Sequence, residues 1–226
     1  MIQEHSSKGT NDEPDKDVSI FTGRISSDPD RYPCGARAEG SNDASTGAFD
    51  LETFSELSDA FNEHDGTVRL VALLSPSCGY CVKGYRYMRK LLEEIDDPRL
   101  TMLVAWEPML SGDTRALAFK MAKKETDPRM VYQVWDQERV TGDSYTEVLL
   151  AQDERWRAGD STAWDVYFLY EGEVAWDGDR PTVPSYWQHQ GAGQSEDALN
   201  YTKLKEEIEK RLTELPDQTA SVLPSN

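Results

Sequence analysis

The sequence predicts an α/β domain: a central, mostly parallel sheet with an antiparallel edge hairpin, helices on both faces, and an extra strand-helix insertion. Three observations carry this expectation. Short Val- and Leu-rich runs are too brief for helices, and the segments between them place apolar residues every three or four positions. Late in the chain, two β runs flank a turn dipeptide. Strands alternating with helices build a parallel sheet covered on both sides.

Residues 1–46 are dominated by Ser, Asp, Gly, Asn, Glu and Pro, which bury too little apolar surface to offset the entropy of ordering. They read as an acidic, mostly irregular N-terminal extension. The domain is expected over 47–215, with a flexible tail over 216–226 that contains Pro224. Leu51, Phe54, Leu57 and Phe61 recur at helical spacing until Asp65-Gly66. Val68 to Ser75 suits a strand buried on both faces. A helix follows over Gly79 to Glu94, with Val82, Tyr85, Met88, Leu92 and Ile95 on one stripe and Asp97-Pro98 ending it. Leu100 to Trp106 is the next strand. Asp113 to Lys124 is helical and closed by Asp127-Pro128, Met130 to Trp135 is a strand, and Ser144 to Arg157 is helical. Ala163 to Tyr170 and Glu173 to Trp176 are separated only by Glu171-Gly172, a tight-hairpin signal. Tyr201, Leu204, Ile208, Leu212 and Leu215 line one face of a last helix.

Composition excludes several functions. The 226 residues carry 42 acidic against 24 basic side chains, a net charge of −18, which rules out binding nucleic acid by phosphate neutralisation and repels anionic lipid. The run Leu70 to Leu74 falls far short of the roughly 20 apolar residues that span a bilayer, so no membrane partner is expected. The start, Met1-Ile2-Gln3-Glu4-His5-Ser6, lacks the basic and apolar regions of a secretory signal, which makes a cytoplasmic location the expectation. Three cysteines form no disulfide framework, so cysteine here is chemical rather than structural.

The chemistry lies in Cys78-Gly79-Tyr80-Cys81, where a buried strand ends and a helix begins. At a helix start the unpaired N–H groups and the positive dipole end stabilise a thiolate. Cys78, nearer the exposed start, is placed to attack a disulfide, and Cys81, one turn on, to resolve the mixed disulfide. The same pair also reads as two ligands of a zinc site or as unrelated core thiols. The strand, the Cys78-Gly79-Tyr80-Cys81 motif, the long helix and the Trp164-Asp165-Val166-Tyr167-Phe168-Leu169-Tyr170-Glu171-Gly172-Glu173-Val174 hairpin together resemble the thioredoxin-like superfamily, over roughly residues 50–214. The Gly-Tyr dipeptide is similar to that of bacterial disulfide isomerases, and glutaredoxins also carry Tyr before the second cysteine. The Met130 to Arg157 insertion resembles that of peroxiredoxin-like and cytochrome-maturation thioredoxins. The resemblance implies a thiol-disulfide oxidoreductase acting on protein or low-molecular-weight disulfides. It implies an electron donor and no cofactor. The alternatives are a zinc or soft-metal module using the same thiols, and a redox-silent interaction domain.

Two departures stand out. Thioredoxins place a cis-proline before the strand facing the active site, whereas this chain has Ser161-Thr162-Ala163-Trp164-Asp165. Thioredoxins also bury an acid six residues before the first cysteine, and here that position is Ala72. The peroxidase pattern is half present, with Ser75 in place and Val71 where proline belongs. Glu107 and Asp165 are candidates to replace the missing acid, although a carboxylate in so acidic a chain is more commonly a solvated one. Lys83 and Arg86 favour a thiolate electrostatically or serve as solvated helix charges. His5, His64 and His189 show no ligand spacing, and His189 and Cys34 are the first candidates to complete a metal set. Trp106, Trp135, Trp164, Trp176 and Trp187 suit either a ligand site at the strand ends or the core.

Removing residues 1–45 is expected to leave the domain folded, with a melting temperature close to that of the full chain. A large drop on thermal unfolding would mean that the extension packs on the domain.

Overall fold

The computed structural model describes residues 49–152, 162–190 and 196–216. Among these, six strands form one sheet: β1 (Phe49–Asp50), β2 (Val68–Leu74), β3 (Leu100–Trp106), β4 (Met130–Trp135), β5 (Val166–Tyr170) and β6 (Tyr186–His189). Their order is β1-β4-β3-β2-β5-β6. The first four strands in that order run parallel, β5 is antiparallel to β2, and β6 is antiparallel to β5. The helices are α1 (Phe54–Asn62), α2 (Gly79–Glu94), α3 (Arg115–Ala122), α4 (Val140–Gln152) and α5 (Tyr201–Glu214). The β4–α4 unit is the expected insertion, and it places β4 between β3 and the short β1.

β2 and β3 are buried along their whole length, which is why they read as continuous apolar runs rather than alternating ones. On one face, Leu70, Ala72 and Leu74 pack with Tyr85, Met88 and Leu92 of α2 and with Leu204 and Ile208 of α5. On the other, Val71 and Leu73 pack with Leu57 and Phe61 of α1 and with Tyr145 and Leu149 of α4. Helices therefore cover both faces, as expected. At the far end of α2, Arg129 donates to the carbonyls of Leu92 and Ile95, both at 2.6 Å, which gives two of the acceptors at this helix end a charged partner. No helix among the described residues is long and apolar enough to cross a membrane.

The expected hairpin at Glu171-Gly172 does not form. β5 pairs instead with β6, and residues 173–176 belong to a loop. Trp176 accounts for the difference: its ring stacks on Phe61 at 3.9 Å and on Phe54 at 5.3 Å, in the core under α1. Its backbone N–H and C=O are both taken by the side-chain amide of Asn62, at 2.9 and 3.1 Å, which leaves nothing for a ladder with β5. Other differences are local. α1 begins at Phe54 after Thr53, and α4 begins at Val140, where Asp136 accepts from the N–H groups of Val140 and Thr141 at 3.0 and 2.7 Å. β1, only two residues long, carries no periodic signal.

Arg69 joins the two ends of the second face. It is fully buried on β2, lies 4.1 Å over the Phe61 ring, and donates to the carbonyls of Phe61, Glu171 and Gly172 at 3.2, 2.7 and 2.8 Å. Replacing Arg69 with Ala strands these buried acceptors and opens a cavity, at a cost of about 3 kcal/mol or more in unfolding free energy. The urea midpoint should fall accordingly; an unchanged midpoint would show that water replaces the guanidinium.

Candidate functional site

Cys78 occupies the N-cap position of α2 in extended conformation (φ −73°, ψ 121°), so the first turn of the helix starts at its carbonyl. Its N–H donates to the Ser75 carbonyl at 3.3 Å, and its carbonyl accepts from Val82 at 3.0 Å. The loop before it is tied down by Asp113, whose carboxylate accepts from the Ser75 hydroxyl at 2.8 Å, from Ser77 N–H at 2.8 Å and from Leu110 N–H at 2.6 Å. Burial works against ionisation of Asp113, yet hydrogen bonds from Ser77, Leu110 and Ser75 hold its carboxyl below the ordinary value. The sequence offered no signal for this residue.

Both cysteines are free thiols. Cys78 is 8% exposed and Cys81 fully buried, so the nucleophile candidate is more covered than the helix start alone suggests, while Gly79 and Tyr80 beside it are exposed, Tyr80 by 68%. Cys78 is covered because it joins the core cluster on the α2 face of the sheet. The ligating atoms of Cys78, Cys81 and Asp165 all lie within 4.8 Å of one another. Burial pushes the Cys81 thiol up, and the Asp165 carboxylate adds to the rise.

The β5–β2 pairing brings Asp165 to the sulfurs. Because β5 runs antiparallel to β2, its first residue, Val166, lies opposite Leu73, just before the motif leaves β2. Asp165 precedes it, donates its N–H to the Leu73 carbonyl at 2.7 Å, and adopts φ 55°, a left-handed conformation that Asp tolerates better than most residues. Asp165 is 5% exposed, and burial pushes its carboxyl up to about 6 while a hydrogen bond with Cys81 pulls the other way. Its Oδ1 has no partner. The described residues include no cis peptide bond.

Glu107 fits neither expectation for it, for it is not solvated and stands apart from the thiols. It is fully buried, its Oε1 accepts from Gly142 N–H at 2.8 Å, and its Oε2 has no partner. Burial first, and then the neighbouring Asp136, push its carboxyl well up. It supports the site indirectly. Gly142 accepts from Ala163 N–H at 3.2 Å, and Asp143 accepts from the Thr162 hydroxyl at 2.6 Å, so the first turn of α4 holds the segment leading to Asp165. Gln190, just beyond β6, donates to the Tyr80 carbonyl at 2.7 Å and to the Tyr167 hydroxyl at 3.3 Å, bridging the motif and β5. Gly84 meets the same hydroxyl: a Cβ there would clash with the Tyr167 ring end.

Lys83 and Arg86 are exposed, with Lys83 5.5 Å over the Tyr87 ring, which agrees with solvated helix charges. His64 and His189 are not in the group around the sulfurs. His5, Cys34 and Ser161 lie outside the described residues. Trp106, Trp135, Trp176 and Trp187 are buried, and Trp164 is partly buried against the cluster that holds Trp106 and Trp135, so these tryptophans belong to the core.

A strand leading through CxxC into a helix at the centre of this sheet, flanked by an antiparallel strand whose first residues face the motif, settles the architecture. The domain has a thioredoxin-like fold. No family model and no curated protein matches the chain. Among solved structures it is similar to T. cruzi GPX1, with TM-score 0.43 and 16% identity over 67% of this chain and 86% of that one. It is also similar to a thioredoxin-family thiol:disulfide interchange protein from Chlorobium tepidum TLS (0.38, 12%, 67% and 83%). A third is the thioredoxin domain of a Bacteroides vulgatus thiol-disulfide oxidoreductase (0.35, 18%, 65% and 83%). These likenesses transfer neither a substrate nor a residue role.

A Cβ at Gly142 would lie 2.6 Å from the Ala163 carbonyl and 2.8 Å from the Glu107 carboxylate. Gly142→Ala should therefore destabilise the fold by about 1–3 kcal/mol. It should also change the alkylation rate of the cysteines through the displaced 162–165 segment. Urea unfolding and a thiol-trapping time course check both; no change in either would mean that the segment is held independently of α4.

Proposed function

We propose that this protein is a thiol-disulfide oxidoreductase, exchanging a Cys78–Cys81 dithiol and disulfide with disulfides of proteins or small thiols. The observation that carries the reading is the asymmetry of two neighbouring free thiols: one caps a helix beside an exposed rim, and the other is buried against a carboxylate.

In the reductive direction the Cys78 thiolate attacks one sulfur of the substrate disulfide. A Cys78–substrate disulfide forms, and the other substrate sulfur leaves as thiolate. Cys81 then loses its proton to Asp165, the carboxylate in contact with it, and attacks Cys78. The mixed disulfide breaks and the second substrate thiolate leaves. The substrate gains two electrons, and the CxxC pair gives them up as an intramolecular disulfide. A reducing dithiol or thiol restores the pair by the reverse steps. Burial of Cys81 keeps it from competing for external disulfides, so the first attack falls to Cys78.

The split predicts opposite behaviour of two variants. Cys81→Ser should accumulate reductant-sensitive adducts with partners in extract, at least tenfold above Cys78→Ser, as read by mass spectrometry under non-reducing conditions. Equal trapping by both, or trapping by Cys78→Ser alone, overturns the assigned roles. Absence of any dithiol-disulfide cycling in the wild type overturns the function.

A further inference from the structure

We infer that Cys78, Cys81 and Asp165 form, in the reduced protein, a binding site for one thiophilic divalent cation of the zinc class. The inference shares its two thiols with the oxidoreductase reading but rests on a different observation, the convergence of a third, oxygen ligand. Among the described residues, these are the His, Cys, Asp and Glu side chains that gather three ligating atoms within 4.8 Å. Tetrahedral zinc, with Zn–S near 2.3 Å and Zn–O near 2.0–2.2 Å, sets its ligand atoms about 3.5–3.8 Å apart. The site therefore needs to close by about 1.3 Å at most. Asp165 Oδ1 is buried and without a partner, an acceptor that a cation would satisfy.

The donor set selects the ion. Two sulfurs disfavour magnesium and calcium, which take oxygen ligands. Two thiolates and a carboxylate carry three negative charges, and in a buried site a doubly charged ion cancels more of this than a monovalent one. Three protein ligands leave the fourth tetrahedral position for water or an external ligand. Binding makes two S–Zn bonds and one O–Zn bond and releases the thiol protons to solvent. No electron moves. A disulfide has no thiolate to offer, so metal and disulfide exclude one another, and zinc holds the pair reduced and withdraws it from exchange.

The test uses the full chain, stripped with chelator and kept reduced by a phosphine, titrated with zinc(II) against a chromophoric chelator. Wild type should retain one zinc per chain after desalting, and either Cys78→Ser or Cys81→Ser should lose it. Asp165→Asn should bind at least tenfold more weakly. Cobalt(II) should give a thiolate-to-metal charge-transfer band in wild type and none in the cysteine variants. Bound zinc should slow alkylation of both thiols in wild type, a readout that stands if Asp165→Asn fails to fold. Wild-type retention no greater than that of Cys78→Ser overturns the inference, as does equal affinity of a folded Asp165→Asn or unprotected thiols. Cycling between dithiol and disulfide, measured in chelator, separates the two readings. A protein that cycles but retains no zinc refutes the metal site alone, and one that retains zinc but never cycles refutes the oxidoreductase alone.

Discussion

The antiparallel pairing of β5 with β2 is the constraint on which the site depends. A parallel neighbour would bring its own carboxyl end to the motif. An antiparallel one brings its first residues, so Asp165 arrives beside the sulfurs although 84 positions separate it from Cys81 in the chain. The same pairing positions β6, whose continuation carries Gln190 onto the first turn of α2. The first turn of α4 fixes the approach to Asp165 from the other side through Ala163 and Thr162. Elements widely separated in sequence thus meet at a motif that is itself entirely local.

Environment divides the chemistry between groups of the same type. Cys78 and Cys81 differ in exposure and in position along α2: Cys78 keeps 8% of its surface at the helix start, while Cys81 is fully buried and hydrogen-bonded to Asp165. The acids differ just as clearly. Asp113 sits among donors and is held ionised, Asp165 sits among sulfurs with one oxygen unpaired, and Glu107 is sealed behind the sheet with a single backbone donor. In a chain with 42 acidic residues, these three are told apart by the groups the fold places around them rather than by any feature of their neighbours in sequence.

What the sequence made legible follows from range. The β2–motif–α2–β3 unit was readable because each part is local: an apolar run, a cysteine spacing, a helical stripe ended by Asp97-Pro98. The hairpin was misread because Glu171-Gly172 does turn the chain, but Trp176 is held under α1 by Phe61 and Asn62, partners more than a hundred residues earlier. Asp165 and Glu107 were equivalent in sequence, each a carboxylate next to a tryptophan at a strand boundary. Both lie at the sheet end that carries the motif, and the side each takes separates them: Glu107 meets Gly142 of α4, whereas Asp165 meets the sulfurs. Arg69 lies inside the run read as a strand buried on both faces, and only the fold supplies its three carbonyl partners.

The contact between Gly84 and Tyr167 makes the residue allowed at 84 depend on the one at 167. The tyrosine hydroxyl fills the space that a side chain at 84 would need, and it also receives Gln190, which holds the motif's first turn. A methyl group at 84 therefore requires a shorter residue at 167, and a shorter residue at 167 removes a partner of Gln190. The dependence runs one way: a side chain at 84 forces changes at 167 and 190, whereas a shorter residue at 167 leaves glycine at 84 in place and Gln190 still bound to the Tyr80 carbonyl.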